Sequence, residues 1–385
     1  METILEHAQG LVYALLGLMP SRYQKTSLSA LLGLFLEAPG HALPQHCPIK
    51  SASALSRFLN IYGWSTRSVL RTTRQTVLKQ MAQHLPRSDS PLKVIIDLTT
   101  LPKCGEFRHL GDPTEDEAKP NPWVRVLNGK RGLHLVVLYL VLGQWRVPWS
   151  FCIWHGKGTS SPAQLACKLL ARVPQPLTRC RTVLVLADTE FGTIEFLQAV
   201  QKRRWRAVVG LRCNRRLESG KTLKQLYRTG KRGQQVRLLG MNVSLTISWF
   251  WLKRSEGKRE LRFVVSTYPY SGVYLVRLGR QRWAIEGFFK TIKHRFGLHG
   301  FGQKTRLGIY RWLLLSLIAY LLAHWMFCLL PAWCALDWAE VSAKALATLL
   351  PQVVWLKLLH QIQKSRAVIQ SQGFEVIIQP LPSAC

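Results

Sequence analysis

The chain has 385 residues, 48% of them hydrophobic, and carries 53 Lys and Arg against 20 Asp and Glu, a formal charge of +33. That apolar fraction excludes a disordered basic tail, and the length allows two or three domains with sizeable cores. The charge makes a polyanion the expected partner, nucleic acid first and an anionic membrane second, and it makes each acid at a well-formed position informative.

The nine cysteines form no CxxC pair and no zinc-like spacing with histidine, which fits a reducing, cytoplasmic location. In the opening run METILEHAQGLVYALLGLMP, Glu2 and Glu6 stand where a secretory signal needs positive charge, so it is not read as a leader. Residues 1–88 read as helical and basic. Within them Ser53 to Asn60 and Thr66 to Gln83 are candidate helices separated by the turn-like IYGW. The second helix sets Arg67, Arg71 and Arg74 along one side, beside Leu70, Val77 and Met81. Two readings stand: a helix-turn-helix that enters a DNA groove, or a helical cap with a solvated basic face. RSDSP, residues 87–91, reads as a linker.

Residues 89–212 change character. LKVIIDLTTL is a short apolar strand with Asp97 inside it, and HLVVLYLVLGQWRVPWSFCIW reads as a hairpin turning at Gly143-Gln144. SPAQLACKLLARV has an N-cap at Ser161, a Pro at the first helical position and a helical period. TVLVLAD is a buried strand ending in Asp188, TIEFLQAVQKR a helix and WRAVVGL a strand, giving the order β, β, β, α, β, α, β. Residues 213–270, with NVSLTISWFWLK and ELRFVVST around RSEGKR, predict a β-rich insertion.

Residues 271–330 contain RQRWAIEGFFKTIKH, Arg280 to His294, which predicts one helix. At 100° per residue Arg282, Glu286, Lys290 and Lys293 fall within an arc of roughly 80°, next to Ile285, Phe289, Ile292 and Phe296. Alone, such a stripe is an ordinary solvated face with a Glu286–Lys290 pair. A phosphate-handling site would need further carboxylates from elsewhere in the chain. The run from Leu313 to Leu336 lacks Asp, Glu, Lys and Arg and is long enough to span a bilayer. Ser316, His324 and Pro331 within it, and no second comparable run, favour a core helix. Residues 331–385 read as a helical tail.

A strand-end Asp is by itself a common turn or cap residue. Three acids at structured positions in an acid-poor chain, Asp97, Asp188 and Glu286, are instead candidate ligands for hard divalent cations that act on phosphodiesters.

RWAIEGFFKTIKHRFGLHGF resembles the signature helix of DDE transposases of the insertion-sequence-four family, which carry a Tyr-x2-Arg-x3-Glu-x6-Lys motif; Arg282, Glu286 and Lys293 fall at the family spacing. VIIDLTTL resembles the segment holding the family's first catalytic Asp, at Asp97, and LVLADTEFG the segment holding its second, at Asp188. The similarity covers roughly residues 90–330. The motif's Tyr position is Gly279 here, with Tyr274 nearby at another spacing, and Glu190 follows the second Asp where many relatives have a basic or small residue.

The resemblance implies an α/β fold: an RNase H-like catalytic core interrupted by the β-rich insertion, with a helical N-terminal DNA-binding region and a helical C-terminal tail. It also implies cut-and-paste DNA transposition. Asp97, Asp188 and Glu286 would be catalytic and would ligate two Mg²⁺ ions, with Mn²⁺ as a substitute; Arg282, Lys290 and Lys293 would grip phosphates. Trp249 and Trp251 could stack a flipped base, with core packing as the rival reading. The N-terminal helices would recognise terminal inverted repeats, supported by basic patches such as KRRWR at 202–206. A homodimer with contacts in the tail would bring two ends together with target DNA, at the bacterial nucleoid and without a membrane. The rivals are another RNase H-like metal nuclease, and a domesticated or inactive transposase that only binds DNA.

Overall fold

The computed structural model describes residues 2–37, 43–83, 90–103, 123–253, 257, 259–303, 305–331 and 337–379. Its chain divides into two units, one of residues 1–70, 294–303 and 307–385, the other of residues 71–293 and 304–306.

The second unit is built on a nine-stranded sheet. Its strands are β1 (Leu92–Pro102), β2 (Arg125–Leu127), β3 (Lys130–Leu142), β4 (Trp145–Trp154), β5 (Val183–Ala187), β6 (Arg206–Leu211), β7 (Gln235–Arg237), β8 (Ser244–Lys253) and β9 (Arg259–Ser266). β1 buries Val94, Ile95 and Ile96 in succession and β5 buries every residue, as strands covered on both faces do. Across the sheet the order is β3, β1, β5, β6, β9, β8, β7, with β2 and β4 both paired to β3. β1 runs parallel to β5 and β5 to β6, whereas β3 and β4 form the antiparallel hairpin expected from the sequence.

Tight turns set the registers. Leu142 pairs with Trp145 across a two-residue loop in which Gly143 takes φ 56°, the positive value that the first position of a type II′ turn demands. Asn128 and Gly129, at φ 52° and 74°, make the same tight connection between β2 and β3, here with both residues left-handed as in a type I′ turn. The crossover helix α5 (Pro162–Leu170) starts on a full capping box between Ser161 and Gln164, and α6 (Gln175–Thr178) and α7 (Ile194–Gln201) follow.

The β-rich segment joins the sheet of the core: β9 pairs antiparallel with β6, and β8 and β7 extend the same sheet beyond it. Outside the sheet the segment holds α8 (Leu223–Thr229). The single helix expected over 280–294 is two, α9 (Gly272–Gln281) and α10 (Ala284–His294), broken by a turn at Arg282 and Trp283. At the break Trp283, Ile285 and Glu286 donate to carbonyls three residues back, a tighter winding than an α-helix.

The first unit holds α1 (Glu2–Gly17), α2 (Arg22–Glu37), α3 (Ala52–Asn60), α12 (Trp338–Leu349), α13 (Pro351–Ser371) and nearly all of α11 (Arg306–Cys328). The terminal helices, read from sequence as separate regions, thus share one unit. The candidate helix pair is found as α3 and α4 (Thr66–Gln83), and α4 continues beyond residue 70 into the other unit. α11 is long and apolar enough to cross a bilayer, yet 89% of its most apolar window is buried inside the protein, as a core helix requires. Residues 332–336 of that apolar run, and 87–89 of the expected linker, lie outside the described residues.

Arg311 ties this unit together. Although 2% exposed on an apolar helix, it donates to the carbonyls of Phe58, Leu59 and Trp64 and to Thr66 Oγ1, and its guanidinium lies 4.0 Å from the centre of the Trp64 ring.

Candidate active site

Asp97 and Asp188 are neighbours by topology. Ile96 pairs with Ala187, the last pair of the parallel β1–β5 register, so Asp97 and Asp188 each follow directly on a paired residue of neighbouring strands. Each is fixed by its own backbone: Leu98 N–H donates to Asp97 Oδ1 at 2.8 Å, and Thr189 N–H to Asp188 Oδ1 at 2.6 Å. Asp188 therefore caps the short turn Thr189–Phe191 with one oxygen.

Glu286 reaches the same place from the first turn of α10. That helix buries Ile285, Phe288, Phe289 and Ile292, the arc expected from its sequence, and Phe288 stacks on Tyr139 of β3 with ring centres 4.6 Å apart. Between the acids stands Arg282. One guanidinium nitrogen donates to Asp97 Oδ2 at 2.6 Å and the other to Glu286 Oε1 at 2.9 Å, with the arginine side chain 13% exposed. The Asp97 bond is shielded from water, with that side chain 10% exposed, whereas Glu286 is 56% exposed and its bond is the weaker of the two.

Electrostatics follow from the packing. Burial lifts the Asp97 carboxyl to about 7 against the pull of Arg282, and repulsion from Asp188 and Glu286 adds to the rise. Burial also works against the charge on Arg282, but Asp97, Asp188 and Glu286 together hold it above the usual arginine range.

The other expected residues separate into groups. Lys293, one end of the charged stripe, donates to the Thr100 carbonyl at 2.8 Å, and burial pushes its pKa down. With Arg282 it fastens α10 along β1. Seven helical residues from Glu286 to Lys293 span about 10 Å, the same as three strand residues from Asp97 to Thr100. Lys290 is exposed. On α4, Arg67 and Arg71 are exposed, whereas Arg74 donates to the Trp149 carbonyl at 3.1 Å and stacks over that ring. Trp249 is a core residue, 5% exposed and packed edge-on to Tyr227, which removes its ring face from any base; Trp251, two residues on, is 46% exposed. Glu190 pairs with Arg212 at 3.2 Å and is engaged as a loop residue.

Sequence reasoning missed the wall beside the acids. A cavity of about 230 Å³ is lined by Asp188, Glu286, Arg282, Trp283, Phe250 and Gly279, among others. Gly279, the departure from the motif, lies over β9, and a Cβ there would already meet Val264 at 3.4 Å. No local pattern announces this cavity, because its lining comes from β5, β6, β8, β9 and the α9–α10 break.

The donor set suits a hard divalent cation: the acids are carboxylates, two are held by backbone N–H groups, and the place where they converge already stabilises positive charge. Among the described residues no group of three acid, histidine or cysteine side chains is drawn tightly enough to hold an ion as it stands.

The chain is similar to a probable transposase for insertion sequence element IS5377 of Geobacillus stearothermophilus, 25% identical over 159 residues, a match covering 40% of this chain and 42% of that relative. In fold it resembles the piggyBac transposase in a cryo-EM structure of its synaptic complex with hairpin DNA, at a TM-score of 0.50 and 10% identity, covering 100% of this chain and 84% of that one. The fold is thus the RNase H-like α/β architecture expected from the sequence. Residues 89–322, a span that holds all three acids, match the family model described as the transposase DDE domain, and the chain belongs to that family of transposases.

Proposed function

We propose that this chain is a cut-and-paste DNA transposase of the insertion-sequence-four branch, with Asp97, Asp188 and Glu286 as its catalytic acids. The observation that carries the reading is the placing of Asp97 beside Asp188 at adjacent parallel strands, with Glu286 joined to Asp97 through Arg282. The acids would hold two Mg²⁺ ions, with Mn²⁺ as a substitute; bound there, such ions activate water and neutralise the leaving oxygen of a phosphodiester.

The chain's own groups set the geometry. Asp97 and Asp188 are fixed by backbone N–H groups, so their oxygens need little reorganisation when charge develops. Arg282 and Lys293 keep Glu286 in reach of β1. Lys290, exposed on α10, is available to a phosphate, and Trp251 presents a ring to an unstacked base. Arg67 and Arg71, exposed on α4, would meet terminal inverted repeats. The substrates are double-stranded element ends and target DNA, with two copies of the chain bringing two ends together in a synaptic complex.

The test is cleavage and joining on labelled DNA carrying the element's own end, comparing wild type with Glu286→Gln in Mg²⁺ and in EDTA. Wild type is expected to cut at the element boundary and join the new 3′-hydroxyl to a target, while Glu286→Gln binds the DNA but falls by at least about 10³-fold in cleavage, a ΔΔG‡ near 4 kcal/mol. Equal cleavage by both would remove Glu286 from the acid set.

A further inference from the structure

We propose that Arg282 is an exchangeable internal cation: it occupies the carboxylates of Asp97 and Glu286 while no metal is bound, and moves into the adjoining cavity when a divalent cation takes them. The inference rests on the three-acid reading above. Arg282 uses Asp97 Oδ2 and Glu286 Oε1, at 2.6 and 2.9 Å. Mg²⁺ binds carboxylate oxygen at about 2.0–2.1 Å. Guanidinium and ion compete for these two oxygens and, held a few ångströms apart, repel each other, so binding of one weakens the hold of the other.

The structure supplies somewhere to go. Arg282 itself lines the 230 Å³ cavity, whose walls include Phe250 and Trp283. Aromatic faces accept a guanidinium, and Arg280 already lies 5.6 Å from the centre of the Phe250 ring. Gly279 keeps this space open: it lines the cavity against Val264, and a large side chain there would fill it. Once displaced, the donors of Arg282 face the same cavity as Asp188 and Glu286, where a strand phosphate would lie. Arg282 is therefore a positioning residue in one state and a phosphate contact in the other.

The experiment titrates Mn²⁺ into the full chain without DNA, following the loss of the free Mn²⁺ signal by electron paramagnetic resonance, with thermal melts in EDTA and in Mn²⁺. Arg282→Gln is expected to bind Mn²⁺ about tenfold tighter than wild type and to melt lower in EDTA, with Mn²⁺ recovering more of its stability. Arg282→Lys, whose compact ammonium cannot bridge two carboxylates, is expected between the two. Gly279→Leu, which fills the cavity and leaves the acids in place, is expected to weaken Mn²⁺ binding severalfold. Equal or weaker Mn²⁺ binding by both Arg282 variants, with circular dichroism showing them folded, would overturn the proposal and make Arg282 a builder of the metal site. Unchanged binding in Gly279→Leu would overturn the move into the cavity. Asp97→Asn separates the two readings: if it binds Mn²⁺ as wild type does, the three-acid assignment fails, whatever Arg282 does.

Discussion

Arg282 and Arg311 are both buried arginines, one in each unit, and they are satisfied in opposite ways. Arg311 meets neutral groups only among its described partners: three carbonyls, one hydroxyl and the Trp64 ring, with burial lowering its pKa to about 10. Arg282 meets two carboxylates, and the acids hold it firmly charged. The contrast separates a structural cation from a replaceable one. Peptide carbonyls spread over α3 and the turn before α4 need the five-donor fork of an arginine, whereas two carboxylates can also be satisfied by a divalent ion.

The sharpest way to break the comparison is Arg311→Leu. It leaves buried carbonyls without a donor and is expected to lower stability by about 3–5 kcal/mol in urea unfolding followed by circular dichroism. Arg282→Gln removes one strand of a mixed network near solvent and is expected to cost about 1–3 kcal/mol in EDTA. Equal losses at the two sites would erase the distinction. Smaller still, Lys293→Met unpairs the Thr100 carbonyl and should cost about 0.5–1.5 kcal/mol, measured as a shift in the urea midpoint.

The smallest expected effect is a pH dependence at His134, next to the same strand. Its Nε2 donates to the Arg125 carbonyl, which can only accept, and in the neutral ring that burial favours Nδ1 accepts from Thr100 Oγ1. Burial lowers its pKa below the ordinary 6.5, so below that value the unfolded chain binds the proton more readily than the folded one. The stabilisation is present above pH 6.5 and is lost as pH falls through the folded value. Melting curves of wild type and His134→Gln between pH 7.5 and 5 should converge toward the acid end; parallel curves would show that the ring does not titrate there.

The acids were legible in the sequence because each sits at a place that local pattern reports: inside an apolar strand for Asp97, at the end of one for Asp188, the edge of an apolar helical stripe for Glu286. Helix α4 and the hairpin turn at Gly143 were legible for the same reason. The break at Arg282 and Trp283 was not, since Ile285, Phe289 and Ile292 keep helical phase on one side of it and Leu275 and Leu278 on the other. Nor could the partners of Arg282 and Lys293 be read, because they lie 185 and 193 residues away in the chain. Alternation put Trp249 and Trp251 on one face of a strand, where neighbours in space, Tyr227 and Phe263 around Trp249, decide which ring is covered. Arg311 stood just outside the apolar run and carried no sign that it would be buried.

The edges of the nine-stranded sheet constrain how copies of this chain can meet. One edge is β7, three residues long; the other is shared by β2, also three residues, and β4, which carries Pro148 beside a register shift against β3. Short strands, a proline without an N–H and a bulge are the features by which natural sheets resist adding a strand from a neighbour. A chain so rich in apolar β-structure is thereby protected from edge-to-edge aggregation while its concentration rises, and any specific assembly has to be made through side-chain surfaces.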